Sequence, residues 1–264
     1  MKKYREIIKV YLKAQLAWRT DVLFNMIFTI TKILFAYLLW GIIFKQRDIV
    51  AGFTFHGMLS YYIISSFLSQ LEMSKGISEE ITNRIRGGKF SNFMVLPVNM
   101  QGYFTAMETG VVLFYLVFDF LAAVVWIFVF RIQFAFSNNA VIICLAVILA
   151  VLGLFFMVQL NYYLGILTLK YEEISTFLMI KDNLAALITG SIVPLALFPE
   201  GIIKIMKLLP FYYVTYLPSM LLTGNYEEEA MSGIVILLSW CIALQVLITV
   251  SWKKYRTKYD GVGI

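Results

Sequence analysis

Charged and reactive side chains are sparse in this sequence, and those that interrupt apolar stretches are the first places to look for chemistry. Lys32 and Asp119 each fall near the middle of a long apolar run. An ionisable group at the centre of a membrane helix costs about 2.5–3.5 kcal/mol on insertion scales, so the two are expected either to pair or to line a wet path. An internal ion pair that fixes packing is favoured over a substrate or proton path. Lys181 and Asp182, near the start of a later run, can snorkel or pair locally. The single histidine, His56, has no cysteine or second histidine to join it, which argues against a metal site and against a Ser–His nucleophile. Cys144 and Cys241 lie inside apolar blocks and read as small hydrophobes, not as a disulfide. Nucleotide chemistry has no anchor either. No G-x-x-x-x-G-K-[ST] run occurs, and Gly87-Gly88-Lys89-Phe90 echoes it with the wrong spacing. The chain alone is expected to be no enzyme and to hold no cofactor or metal.

The elements that would position these residues are membrane helices. Of 264 residues, 61% are hydrophobic and 14% charged, and the mean hydropathy is +0.81, far from the soluble norm of about a quarter charged. A span needs about 20 apolar residues, and barrel strands would show short alternating segments instead of long continuous blocks. The sequence therefore predicts an all-α membrane protein with six spans, at 22–44, 53–71, 103–130, 140–169, 177–198 and 233–252. Residues 1–20 precede them as an amphipathic interfacial helix. In it Tyr4, Ile7, Ile8, Tyr11 and Leu12 recur at helical spacing, and Lys2, Lys3, Arg5, Lys9 and Lys13 avoid that face. Residues 21–264 form the spanning domain.

Charge bias orients the chain. Its net charge of +6 is placed as the positive-inside rule requires, so nucleic acid is not an expected partner. Lys and Arg crowd the N-terminal helix, the tail at Lys253, Lys254, Arg256 and Lys258, and the loop holding Lys75, Arg84, Arg86 and Lys89. The opposite side keeps Lys45, Arg47, Arg131, Lys204 and Lys207, offset by Glu200 and the run Glu227, Glu228, Glu229. Both termini are thus expected in the cytoplasm. Between the last two spans, residues 199–230 are apolar but broken by Pro210 and Pro218; two short helices dipping into the outer leaflet are expected there. Ala186 and Gly190 form a small-xxx-small pattern that would permit close helix approach.

One stretch, SKGISEEITNRIRGGKF at 74–90, looks cut from a soluble protein. Ser78 reads as an N-cap, Glu79 and Glu80 as first-turn acids, Arg84 and Arg86 as last-turn bases, and Gly87-Gly88 as the stop. Ile77, Ile81 and Ile85 repeat every four residues as an apolar ridge. Exposing that ridge costs free energy unless something covers it: the chain's own helices, the membrane surface or a partner.

The order of these parts resembles the permease subunits of type-2 ABC exporters, the ABC-2 class. IRGGKFSNFMVLPV at 85–98 looks like that class's pattern after its coupling helix, and GSIVPLALFPE at 190–200 with LLPFYYVTYLP at 208–218 looks like its fifth span and outer turn. The tail KKYRTKYDGVGI is similar to the ending of one subgroup of small permeases. The resemblance covers essentially the whole chain and implies an ATP-driven exporter of the bacterial cytoplasmic membrane. It implies that Ile77, Ser78, Glu79, Glu80, Ile81, Arg84, Ile85 and Arg86 seat a coupling helix in a separate ABC ATPase subunit, which binds ATP and Mg. A second permease chain, identical or homologous, and membrane lipids are the other implied partners. Phe211, Tyr212, Tyr213 and Tyr216 in the outer segment are candidates for gate or substrate contact, and equally for packing at lipid headgroups. The rival reading is a polytopic scaffold or channel that works without nucleotide and keeps the isoleucine ridge covered internally.

Overall fold

The computed structural model describes residues 2–17, 19–95, 97–171, 173–190 and 194–258, with the backbone alone at 19–23, 25, 26, 29, 30, 32 and 258. The described chain is helical, without a strand; an isolated bridge joins Val50 and Phe53. The helices are α1 (Lys2–Gln15), α2 (Arg19–Ile43), α3 (Phe55–Leu71), α4 (Lys75–Arg86), α5 (Ser91–Met94), α6 (Met100–Val129), α7 (Ala140–Leu167), α8 (Ser175–Ile188), α9 (Glu200–Met206), α10 (Tyr216–Leu222) and α11 (Ala230–Tyr255).

Among the described residues three helices are long and apolar enough to cross a membrane: α6, α7 and the segment Glu227–Tyr255 that contains α11. The bent pair Glu200–Met206 and Pro210–Leu222, folded through 92°, makes a fourth only if counted as one span. The prolines act locally as expected. Pro210 opens a 3-10 turn, and Pro218 sits in the first turn of α10, where its missing N–H has no helical partner to lose. α3 has 17 residues and α8 has 14, both short of the roughly 20 a crossing needs. The helix expected over 177–198 ends at Ile188 because Gly190, at φ +70°, turns the chain. Gly190 therefore lies outside the helix, and Ala186 and Gly190 make no small-residue stripe. Residues 191–193 lie outside the described residues.

α7 is the central helix, packed by α11, α4, α10 and α6. Its buried face runs through Ala146, Leu149, Gly153, Phe156 and Met157. The N-terminal helix lies lengthwise beside the first three turns of α6 and runs in the same direction. Tyr4 covers Gly102, and the Ile8 carbonyl and Tyr11 cover Gly110, where an added Cβ would stand 2.5 Å from that carbonyl oxygen. The pattern Gly102, Ala106, Gly110 is the small-residue stripe the fold uses. Tyr11 and Tyr103 share a hydroxyl hydrogen bond of 2.6 Å across the same seam.

The polar helix differs from expectation at its start. α4 begins at Lys75 behind Ser74 and is 12 residues long. Ser78 is inside it, its hydroxyl donating to the Lys75 carbonyl at 2.8 Å, so it is not the cap. Glu79 and Glu80 consequently fall in the second turn. Its end is as read: Gly88, at φ +68°, lets the Lys89 N–H reach the Arg84 carbonyl at 2.9 Å and the Gly88 N–H reach that of Ile85 at 3.2 Å, the paired bonds of a Schellman stop.

Candidate functional site

α4 is fastened to the elbow between α7 and α8 by three kinds of contact. Its apolar ridge points inward: Ile77 and Ile81 are fully buried and Ile85 half-buried. Ile81 sits against Gly165 of α7, where a Cβ would meet the Ile81 Cβ at 2.9 Å, so only glycine admits this approach. Beside it the hydroxyls of Thr82 and Thr168 meet at 3.0 Å in a buried hydrogen bond. At the rim, Arg86 pairs with Glu173 at 2.6 Å and Lys75 with Asp182 at 3.1 Å. Glu173 also accepts from the Ser175 N–H that opens α8, at 2.8 Å. That bond, with the Ser175 hydroxyl and Arg86, holds its carboxyl down at about 2 from an ordinary 4.5. The sign follows: its link to α8 is fully present above about 4.5 and is lost as pH falls through about 2.

The isoleucine ridge is thus covered by the chain's own α7, and the opposite face of α4 is the exposed one. Ile77, Ser78 and Ile81 cannot touch a partner in this arrangement, because each is fully enclosed. Glu79, Asn83 and Arg86 are exposed there, with Glu80 and Arg84 half-exposed beside them. Arg84 Nε bonds Glu80 at 2.6 Å and its guanidinium stacks 4.5 Å above the Phe93 ring, so both are held in place.

Behind α4 lies a buried polar chain that sequence spacing did not connect. Lys181 of α8 is 6% exposed; its Nζ donates to Asn161 Oδ1 at 2.9 Å and pairs with Asp182 at 2.6 Å. Asn161 in turn donates to the Ser74 hydroxyl at 2.7 Å, and Ser74 donates to Glu72. One residue along, the Met73 N–H donates to Glu108 of α6 at 3.0 Å. The lead-in to α4, residues 72–75, is therefore tied to α6, α7 and α8 at once. A further set of amides, Gln101, Gln159 and Gln245, joins α6, α7 and α11 through bonds of 2.7 and 2.8 Å.

The proline-broken segment between α8 and α11 is packed inside the chain. Phe211, Tyr212, Tyr213 and Tyr216 are all buried. Tyr212 donates to Glu229 at 3.2 Å, Tyr213 to the Lys207 carbonyl at 2.8 Å, and Tyr216 meets the Tyr61 ring edge-on at 5.8 Å. None lines the cavity of about 310 Å³ formed by Ala51, Phe53, Met220, Asn225, Tyr226 and Glu228. Asp119 is buried on α6; the side chain of Lys32 lies outside the described residues, and so does the pair expected between them.

Residues 30–263 match the family model described as ABC-2 family transporter protein. The chain belongs to the ABC-2 transporter family. It is an integral membrane protein, the permease component of an ABC transporter, in a family whose permeases generally work with an ABC ATPase. No curated protein matches it. Within this ABC-2 permease, α4 is the short polar helix between the second and third apolar blocks.

Glu108 and the Asn161–Lys181 contact were missed at the level of sequence. Glu108 had a readable signal, an acid two turns into a membrane-length helix. Asn161 and Lys181 each stand out as polar residues in apolar blocks, with Asn161 able to bond between helices, but no helical period pairs a residue on α7 with one on α8.

Proposed function

We propose that this ABC-2 permease forms half of an ATP-driven export pathway and that α4 couples it to a separate ATPase subunit, which supplies ATP and Mg binding. The carrying observation is the two-faced packing of α4. Its apolar face is locked onto α7 and the opposite face, with Glu79 and Asn83, is exposed. A partner seated on the exposed face moves α4 as a rigid body. The Ile81–Gly165 notch and the Thr82–Thr168 bond pass that displacement to α7, and Lys75–Asp182 passes it to α8. Two permease chains and two ATPase chains complete the transporter, both termini face the cytoplasm, and the buried outer aromatics move only when the spans do.

A covered isoleucine ridge is also what a nucleotide-independent scaffold or channel would show. Family membership and the exposed charged face favour the exporter. The discriminating experiment is affinity purification from mild detergent of the parent and of Glu79→Arg with Asn83→Arg, both outside the α4–α7 seam. An ATP-binding subunit that accompanies the parent and is lost with the double variant, at unchanged thermal stability, supports coupling. A parent that never brings an ATPase with it overturns the exporter reading in favour of the scaffold or channel.

A further inference from the structure

α3, α6 and α7 line an open groove of about 490 Å³, within the 300–1,000 Å³ usual for small-molecule sites. Its walls are aliphatic and aromatic, among them Phe67, Leu71, Leu113, Val151 and Leu154. Three lining residues are polar: Thr105, Glu108 and Thr109, all on α6. Each threonine hydroxyl spends its proton on its own helix, Thr105 on the Gln101 carbonyl at 3.0 Å and Thr109 on the Thr105 carbonyl at 2.7 Å. What they offer the groove is acceptor lone pairs. Glu108 is 5% exposed and appears in none of the ion pairs among the described residues. The two hydroxyls thus face the groove as acceptors, and the third polar group, Glu108, is the acid among them.

A purely structural role does not account for the carboxylate. Accepting the Met73 N–H needs an acceptor and no charge, so an amide would serve. A carboxylate beside apolar walls is costly, and the group escapes that cost either by holding a proton or by exchanging it for a cationic guest. An anion or a donor-poor neutral guest would leave these acceptors unmatched; a lipid chain would leave the carboxylate buried and bare. We propose that this groove binds a lipophilic organic cation, with Glu108 as its counter-ion and the apolar walls of α3, α6 and α7 as its contact surface. This deepens the export reading by naming a substrate class and rests on it for direction of transport. The same carboxylate holds the amide of Met73, within the lead-in to α4, so displacement of α4 alters the site that holds the guest.

The test needs neither nucleotide nor ATPase, so its failure is separate from failure of the coupling reading. The purified permease in discs of zwitterionic lipid is dialysed against tetraphenylphosphonium and, in parallel, tetraphenylborate, which has nearly the same shape and the opposite charge. Saturable binding of the phosphonium alone is expected. Glu108→Gln, which keeps the Met73 hydrogen bond, should weaken it at least about tenfold, Glu108→Asp should retain it, and Val151→Trp should fill the groove and abolish it. Equal binding of both ions marks a merely greasy groove and overturns the proposal. So does phosphonium binding that Glu108→Gln leaves unchanged, or a folded parent that binds neither ion. If Glu108→Gln fails to fold, the comparison of the two ions on the parent decides alone.

Discussion

Lys181 shows how a buried charge is tolerated here. Its ammonium has one neutral acceptor, Asn161, and one acid, Asp182, which is itself about a third exposed and shared with Lys75. The two partners are not equivalent on removal. Lys181→Met deletes the buried charge and leaves Asp182 paired with Lys75, but it orphans the buried Asn161 Oδ1, so it should cost about 1 kcal/mol. Asp182→Leu strands the ammonium with a single amide, and should cost about 2 kcal/mol, below the range for a fully enclosed pair because Asp182 reaches solvent. Thermal melts of the two variants in one detergent check the order; a larger shift for Lys181→Met would show the network is not organised around the lysine charge. From the sequence, Lys181 and Asp182 read as a local pair, and that much is present. The connection onward to Asn161, Ser74 and Glu72 was not legible, since it depends on how three helices meet.

At the scale of elements, the sequence marked α4 through its composition and its stop, and misplaced its start. Gly87-Gly88 after two arginines is a strong local signal, because a left-handed residue there is nearly reserved for glycine. Ser78 misled because serine caps helices well, yet Ser74 four residues earlier is equally serine and the chain enters α4 from Glu72 and Met73. The isoleucine spacing was read correctly as a ridge, but periodicity says which face is apolar and never what covers it. The answer came from Gly165, a residue 84 positions away from Ile81. The α4–α7 seam has a direct test in Gly165→Ala. The added methyl would stand 2.9 Å from the Ile81 Cβ, an atom fixed to the backbone and unable to swing aside. Overpacking of this kind costs about 1–3 kcal/mol. The expected result is faster amide hydrogen exchange across residues 75–86, with exchange in the neighbouring span α6 unchanged. Unaltered exchange in α4 would mean that the seam is already loose in the native protein.

For the whole molecule, the sequence predicts six crossings, whereas three described helices and one bent pair have the length and hydropathy for a span. Composition located the apolar blocks correctly, but block length is not helix length: the fifth block is divided by Gly190 and the second yields a helix of 17 residues. Short helices can still cross if flanking turns complete them or the bilayer thins, so sidedness has to be measured at the chain's charged ends. α11 is the best ruler. Its 26 residues extend about 39 Å at 1.5 Å per residue, enough to clear the hydrocarbon core. At its start stand Glu227, Glu228 and Glu229, and at its end Lys253, Lys254 and Arg256. Positive charge resists transfer across the membrane during insertion, so the basic end should remain cytoplasmic. On a cysteine-free background with Cys144 and Cys241 replaced by serine, Lys254→Cys should react with an impermeant maleimide only after the membrane is opened. Glu228→Cys should react in intact cells, being exposed on the surface that closes over Tyr226 and the cavity beside it. The same reagent applied to Asn83→Cys fixes α4: protection in intact cells puts it on the same side as Lys254, where an ATPase can reach it. Labelling of Asn83→Cys from outside would put α4 beyond the reach of any cytoplasmic ATPase, whatever its face presents.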